Sequence, residues 1–165
     1  MSTPEEAAPL TPLEELKRIQ GYLDGLAIPT NLLERSDELA VDALLVRLPP
    51  DRDGWSPEVS FLHVPVQEGQ LQHIRLLQLA APYPVVVDPE RLPAVHALLI
   101  ELSPQLPLGQ LGINPAGQIQ CRHVHAYPAG TVPQREVVLE LLQLFAYSAS
   151  LFAGRIVETA AADQG

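Results

Sequence analysis

The chain has 165 residues, of which 47% are hydrophobic and 18% charged, and its formal net charge at pH 7 is −10. The length suits a single domain, and the acidic balance disfavours direct binding to nucleic acid, whose phosphates would be repelled. No apolar run is long enough for a bilayer, residues 1–6 lack the features of a signal peptide, and the one cysteine fits a reducing compartment, so we expect a cytoplasmic protein without membrane association.

The predicted domain begins at a helix-capping sequence. Thr11, Pro12 and Glu14 match a capping box, in which the Thr hydroxyl and the Glu carboxylate each accept a backbone N–H of the first turn. Apolar residues follow at helical spacing, and the helix is expected to end near Gly25. Residues 1–10 and 158–165 are predicted to be disordered tails that flank one domain of residues 11–157.

Three strands are predicted after this helix. They are Ala43–Leu48, Glu58–Val66 and Leu71–Ala80, separated by the polar loop Pro49–Pro57 and by a turn at Glu68 and Gly69. The second strand is apolar on both sides, which argues against a freely exposed strand. Pro65 is expected to mark a strand end or an edge.

The pattern then changes to helix, hairpin and helix. Asp88 is expected to cap a helix with Pro89 at its first position, and that helix should stop at Ser103 and Pro104. Strands Leu108–Ile113 and Gln118–Tyr127 should flank a turn at residues 114–117, whose sequence is Asn-Pro-Ala-Gly.

The last predicted helix runs from a capping box at Thr131 and Gln134 to Gly154 and is apolar almost all round. One stripe, assigned to the core of the domain, comprises Val137, Leu141, Leu144, Ser148 and Leu151. A second stripe, predicted to be a homodimer or partner interface, comprises Val138, Leu142, Phe145 and Phe152. The alternative is a helix that is wholly internal.

These elements predict an α+β domain of order α-β-β-β-α-β-β-α, with an antiparallel sheet covered by helices on one side. The run from Leu92 to Gly154, with Leu-Pro-Leu-Gly at residues 106–109 and the turn ending at Gly117, resembles the YbjN-like family of bacterial proteins. This resemblance implies the fold of type III secretion chaperones and makes a role in regulation or stress response an expectation. Ser103-Pro104-Gln105 departs from the polar Asn or Arg-rich segment that is usual in that family.

One strand face carries residues with possible chemistry. Cys121, His123 and His125 alternate along the last strand and could bind a soft divalent metal, with His63 or His73 as a further ligand. Alternating histidines on a strand are more often packed or exposed than ligating, and no carboxylate lies between Glu101 and Glu136 to orient them. We therefore predict no metal, no cofactor and no catalytic residue, and keep a metal-binding protein or hydrolase centred on these three residues as the alternative.

Charge indicates the kind of partner. An acidic face is predicted from six carboxylates in the first third of the chain: Glu14, Glu15, Asp24, Glu34, Asp37 and Glu38. Such a face favours a basic or amphipathic segment of another protein, which includes nucleic-acid-binding proteins. The sequence thus predicts a non-enzymatic, chaperone-like or regulatory homodimer that binds a client protein.

Overall fold

A computed structural model describes residues 10–66 and 70–161 of the chain. Four α-helices and six strands follow one another in this order: α1 (Pro12–Asp24), β1 (Thr30–Leu33), β2 (Ala43–Arg47), β3 (Glu58–His63), β4 (Ile74–Pro82), α2 (Leu92–Leu102), β5 (Gln110–Ile113), β6 (Ile119–Pro128), α3 (Arg135–Leu151) and α4 (Ala153–Ala160). Short 3-10 turns flank α2 on both sides, at Pro89–Arg91 and Ser103–Gln105. The predicted α+β class is confirmed.

The six strands form one antiparallel sheet in the order β1-β2-β3-β4-β6-β5. Side chains alternate between its two faces, and one face is fully buried under the helices at Val46, Phe61, Leu79 and Cys121. The opposite face is only partly buried, for example at Leu62. An antiparallel sheet with helices on one side is therefore what the sequence predicted.

The first helix begins as its sequence predicts. The Thr11 hydroxyl accepts the backbone N–H of Glu14, and the Glu14 carboxylate accepts the N–H of Thr11, so the capping box is complete. Leu16, Ile19 and Leu23 are fully buried, which places the apolar stripe of α1 on the sheet.

The predicted β5–β6 hairpin is also present. The N–H of Gly117 donates to the carbonyl of Asn114 at 2.9 Å, and Gly117 has φ +81°, a conformation that glycine adopts without strain. Gly109, just before β5, has φ +86°, and a Cβ there would lie 3.1 Å from the Cys121 sulfur. The glycine lets the backbone approach β6 closely.

Several predicted boundaries are wrong. Strand β1 was not predicted, so four strands rather than three precede α2. Strand β3 ends at His63, before Pro65, and β4 begins only at Ile74. Residues 158–160, assigned to a disordered tail, complete α4, whereas residues 1–9, 162–165 and the predicted turn at Glu68 and Gly69 lie outside the described residues.

The capping box predicted at the start of the last helix is wrong. Gln134 is the N-cap of α3 and makes no side-chain cap. The Thr131 hydroxyl instead donates to the carbonyl of Pro128 at 2.7 Å, so it serves the end of β6 rather than the helix.

The predicted end of that helix at Gly154 is also wrong. The backbone leaves helical geometry at Phe152, and α4 follows at an angle of 45°. The Ser150 hydroxyl donates to the carbonyl of Ala146 at 2.8 Å, a bond that bends helices and lies one turn before the break. Gly154 belongs to α4.

The assignment of the two α3 stripes is reversed. Val138, Leu142 and Phe145, predicted as the interface, are 0%, 3% and 0% exposed and form part of the core, while Phe152 is partly buried. In the stripe assigned to the core, Ser148 is buried, but Val137, Leu144 and Leu151 are exposed. The helix packs into the core through the stripe that the sequence analysis gave to a partner.

Within the described residues, no single helix is long and apolar enough to cross a membrane. Helices α3 and α4 together have the length and apolar composition of a membrane-spanning helix, but they are bent by 45° where they meet.

Candidate functional site

An open apolar groove of about 790 Å³ runs beside α3. Its floor and one wall are α3 residues, and its other wall comes from the α1–β1 turn and the β2–β3 loop. Apolar and aromatic side chains of the lining include Leu26, Ile28, Leu48, Leu139, Ala146, Tyr147 and Leu151. The volume is in the range of binding pockets for small molecules or for an inserted side-chain cluster of a protein.

The rim of this groove exposes large apolar side chains. Tyr147 is 56% exposed, Leu26 46% and Leu151 39%, whereas Leu144, 42% exposed, lies on α3 outside the groove lining. Leu144, Tyr147 and Leu151 follow one another at spacings of three and four, so they form one ridge on the solvent side of α3. A contiguous exposed apolar surface of this kind is typical of a protein-binding site.

Both walls of the groove are held by contacts with the core. Trp55, in the β2–β3 loop, stacks on Tyr83 with ring centroids 5.3 Å apart. The Tyr83 hydroxyl in turn donates to the carbonyl of Ala149 in α3 at 2.7 Å. Because one buried tyrosine contacts both walls, the groove is preformed rather than assembled by a partner.

Carboxylates frame the groove. Asp51 and Asp53 lie in its loop wall, and Asp51 also accepts the N–H groups of Asp53 and Trp55 at 2.9 Å, which orders the loop. Arg52 is the cation among the lining residues, and Glu140 is exposed on α3 outside the lining. The frame is acidic on balance, which suits a basic segment.

The predicted acidic face is present only in part. Its exposed members are Glu14, Asp24, Glu34, Asp37 and Glu38. Lys17 lies 4.0 Å from Glu34, which offsets some of that charge. Glu15 was assigned to this face wrongly, because its side chain is 0% exposed.

Glu15 instead ties α1 to the sheet. Its carboxylate accepts a hydrogen bond from Arg75 of β4 at 2.6 Å and from His63 Nε2 of β3 at 2.9 Å, and a further short one from the Tyr127 hydroxyl of β6. His63 Nε2 also lies 2.7 Å from the Tyr127 hydroxyl, and burial lowers the pKa of the His63 imidazole. The cluster has the character of a structural ion pair, since every bond of Glu15 joins two elements.

The residues of the alternative function do not form a site. Cys121 is 0% exposed, and burial raises the pKa of its thiol to about 12, so it is not a thiolate at neutral pH. His123 and His125 are partly buried, and the His125 ring stacks on Tyr127 with centroids 6.1 Å apart. Across residues 10–66 and 70–161, no three His, Cys, Asp or Glu side chains converge in a way that could hold a metal ion.

The groove residues Leu26, Tyr147 and the loop around Asp51 were not predicted from the sequence. The three-and-four spacing of Leu144, Tyr147 and Leu151 is a signal that could have identified the α3 ridge. No pattern in the sequence indicates the wall formed by the β2–β3 loop, because the position of that loop depends on the stacking of Trp55 on Tyr83, which are distant in sequence.

The fold and the groove define an α+β domain with an open apolar groove beside α3. No protein-family model matches the chain, and no curated protein matches it. Among solved structures, the chain is similar to YbjN of E. coli, which is described as a candidate transcription regulator. The match covers 92% of this chain and 93% of YbjN, at 13% identity and a TM-score of 0.46. The resemblance predicted from the sequence is thus found again between whole structures, and at that level it carries no statement about activity.

Proposed function

We propose that this protein is a non-enzymatic protein-binding module, whose groove beside α3 takes an amphipathic segment of a client protein. The observation that supports this most directly is the apolar groove with exposed Leu26, Tyr147 and Leu151 on its rim. An amphipathic helix would place its apolar side in the groove and its polar side in solvent.

Apolar contacts would supply most of the affinity. Covering a large side chain that is about half exposed contributes on the order of 1 kcal/mol, and three such side chains lie on the rim. The ordering of the client segment offsets part of this gain, which fits binding that is reversible.

The acidic frame would select the client. Asp51, Asp53 and Glu140 would attract Lys or Arg on the polar side of the segment, and the net charge of −10 adds a long-range attraction. Clients with basic segments include nucleic-acid-binding proteins. In this proposal the protein acts as a cytoplasmic homodimer, chaperone-like or regulatory, and a stress response is one setting in which such a regulator would work.

The test uses two fluorescent helical peptides with Leu on one side and either Lys or Glu on the other. We expect the Lys peptide to bind the full chain and the Glu peptide to bind at least tenfold more weakly, as measured by fluorescence anisotropy. The double variant Tyr147→Ser, Leu151→Ser should weaken binding of the Lys peptide at least tenfold without unfolding, because both side chains line the groove and are exposed.

Val86→Ser is the matched control, because Val86 is 90% exposed and does not line the groove. It should bind the Lys peptide like the unmodified chain. Equal binding by the groove variant, or no binding of the Lys peptide, would contradict the proposal. If the peptide tests support the groove, proteins from cells can be captured on the unmodified chain and on the groove variant. A protein that is retained by the unmodified chain and lost from the variant would be the client.

A further inference from the structure

A second cavity, of about 410 Å³, opens between the start of α1, the loop that joins β1 to β2, the end of β3 and the start of β4. Among the described residues, none lines both this cavity and the groove beside α3, so the two sites are separate. The cavity volume is in the range of binding pockets for small molecules.

The His63 imidazole lines this cavity and carries a buried nitrogen atom that is unpaired. Its side chain is only 9% exposed, and Nε2 lies 2.9 Å from a carboxylate oxygen of Glu15 and 2.7 Å from the Tyr127 hydroxyl. Neither Glu15 nor Tyr127 lines the cavity, so the opposite edge of the ring, which carries Nδ1, is turned towards it. Within residues 10–66 and 70–161, Nδ1 has no hydrogen-bond partner. A buried polar atom of this kind favours the binding of a group that pairs with it.

The hydrogen bond that Nδ1 can make depends on the tautomer of the ring. Burial lowers the pKa of the His63 imidazole, so the ring is neutral at neutral pH, with one nitrogen protonated and the other able to accept. A molecule with a donor and an acceptor close together satisfies Nδ1 in either tautomer. Because solvent does not reach Nδ1, the bound group makes this contact after a small shift of the surrounding side chains.

Charges of both signs lie in the lining. Arg35 is exposed, and its guanidinium makes no hydrogen bond or ion pair with the described part of the chain. The Asp42 carboxylate accepts the backbone N–H of Arg35 at 2.8 Å, which holds the two residues together. Arg75 is 2.6 Å from the buried carboxylate of Glu15, so its charge is already compensated. The cavity therefore offers a ligand one cation and one anion, an arrangement that suits a zwitterion better than a simple ion.

The opening of the cavity is apolar. Val66, Leu71 and Ile74 line it and are exposed, and Val64 and Leu76 line it and are partly buried. A ligand with an apolar part would remove these side chains from water, which is favourable. The charged groups and the apolar opening together indicate a molecule with a polar end and an apolar end.

We propose that this cavity binds a free α-amino acid with an apolar side chain. The carboxylate of the amino acid pairs with Arg35, its ammonium group pairs with Asp42, and its side chain packs on the apolar opening. The group next to His63 Nδ1 is the ammonium group in one tautomer of the ring and the carboxylate in the other. The proposal concerns a small molecule and does not depend on the client groove.

Titration calorimetry of the full chain with leucine, valine and methionine tests this directly. We expect at least one of them to bind. For leucine, three analogues each lack one of the matching groups: isocaproate lacks the amino group, isoamylamine the carboxylate and glycine the apolar side chain. Each should bind at least tenfold more weakly than the amino acid, because a charged hydrogen bond or the apolar contact is lost.

Two substitutions test the charged groups. Arg35→Gln and Asp42→Asn should each weaken binding at least tenfold. The Arg35 side chain is exposed, and Asn at position 42 keeps an oxygen that can accept the Arg35 N–H, so both variants should fold. Arg18→Gln is the matched control, because Arg18 is exposed on α1 and does not line the cavity. If thermal unfolding shows that Asp42→Asn is destabilised, Arg35→Gln decides.

Nitrogen NMR tests the buried contact. The bound amino acid should shift the ring-nitrogen signals of His63 and leave those of His96, His123 and His125 unchanged, since these three do not line the cavity. The proposal is overturned if none of the three amino acids binds at millimolar concentration, which would leave Nδ1 to water. Equal binding of isocaproate would indicate a simple anion site and overturns it too, as do an unchanged His63 signal and an Arg35→Gln variant that binds like the unmodified chain.

Discussion

Loss of the buried Glu15 carboxylate should cost several kcal/mol of stability. Its buried carboxylate accepts hydrogen bonds from Arg75, His63 and Tyr127, so it joins α1 to three strands. Removing one partner of a buried ion pair leaves the other charge uncompensated and costs about 3–5 kcal/mol. We expect Glu15→Gln to lower the free energy of unfolding by several kcal/mol in a urea titration.

Glu38→Gln is the control for this prediction, because Glu38 is exposed and its carboxylate makes no hydrogen bond or ion pair with residues 10–66 or 70–161. A surface change of this kind alters stability by less than about 0.5 kcal/mol. If the two variants unfold at the same urea concentration, the Glu15 cluster makes no net contribution to the free energy of unfolding.

His63 should make stability depend on pH. Burial lowers the pKa of its imidazole below 6.5, while Glu15 and Asp42 oppose this shift and Arg75 adds to it. Between the folded and unfolded pKa values, the unfolded chain binds more protons, so the His63 contribution is complete above about pH 6.5 and declines as the pH falls. The stability difference between wild type and His63→Gln should therefore shrink from pH 7.5 to pH 5. If the stability difference between wild type and His63→Gln instead grows as the pH falls, the pKa of His63 is raised in the folded protein and the prediction is wrong.

At the scale of single elements, two threonines that look alike in the sequence should behave differently. Thr11 caps α1 with its hydroxyl, whereas the Thr131 hydroxyl donates to Pro128 and caps no helix. Loss of an N-cap costs about 1 kcal/mol. We expect Thr11→Ala to lower the free energy of unfolding by about that amount and Thr131→Ala to lower it clearly less. Thermal or urea unfolding of both variants compares them, and the reverse order would contradict the capping assignments.

The elements that could be predicted from the sequence are those with strong local signals. The capping box at Thr11 and the turn at residues 114–117 each fix their own backbone, so α1 and the β5–β6 hairpin were found. Strand β1 has four residues between Pro29 and Glu34 and is defined mainly by its pairing with β2. A partner distant in sequence leaves no signal within the segment itself.

The α3 stripes were reversed for a related reason. When a helix is apolar almost all round, periodicity locates two candidate faces but does not say which one meets the sheet. Val138, Leu142 and Phe145 are the residues that reach the core, a choice made by tertiary packing rather than by the local pattern. The candidate groove could not be predicted, since it depends on that orientation.

For the whole molecule, the charge of −10 should act on the rate of client association. Exposed charges are screened beyond about 8 Å at physiological ionic strength, while apolar contacts are little affected. Raising salt should therefore slow association of the Lys peptide severalfold and change its dissociation rate little. Stopped-flow fluorescence at low and high salt measures both rates. An association rate indifferent to salt would remove the acidic frame from the mechanism.

The sheet ends on both sides in very short strands, and this limits the ways in which another chain can attach. Strands β1 and β5 have four residues each, so each edge offers few unpaired N–H and C=O groups. A client that joined the sheet as an extra strand would gain few main-chain hydrogen bonds, and copies of the protein would have little template for edge-to-edge polymerisation. Recognition is thereby directed to side chains, so the sequence of a client, rather than its ability to form a strand, should decide whether it binds.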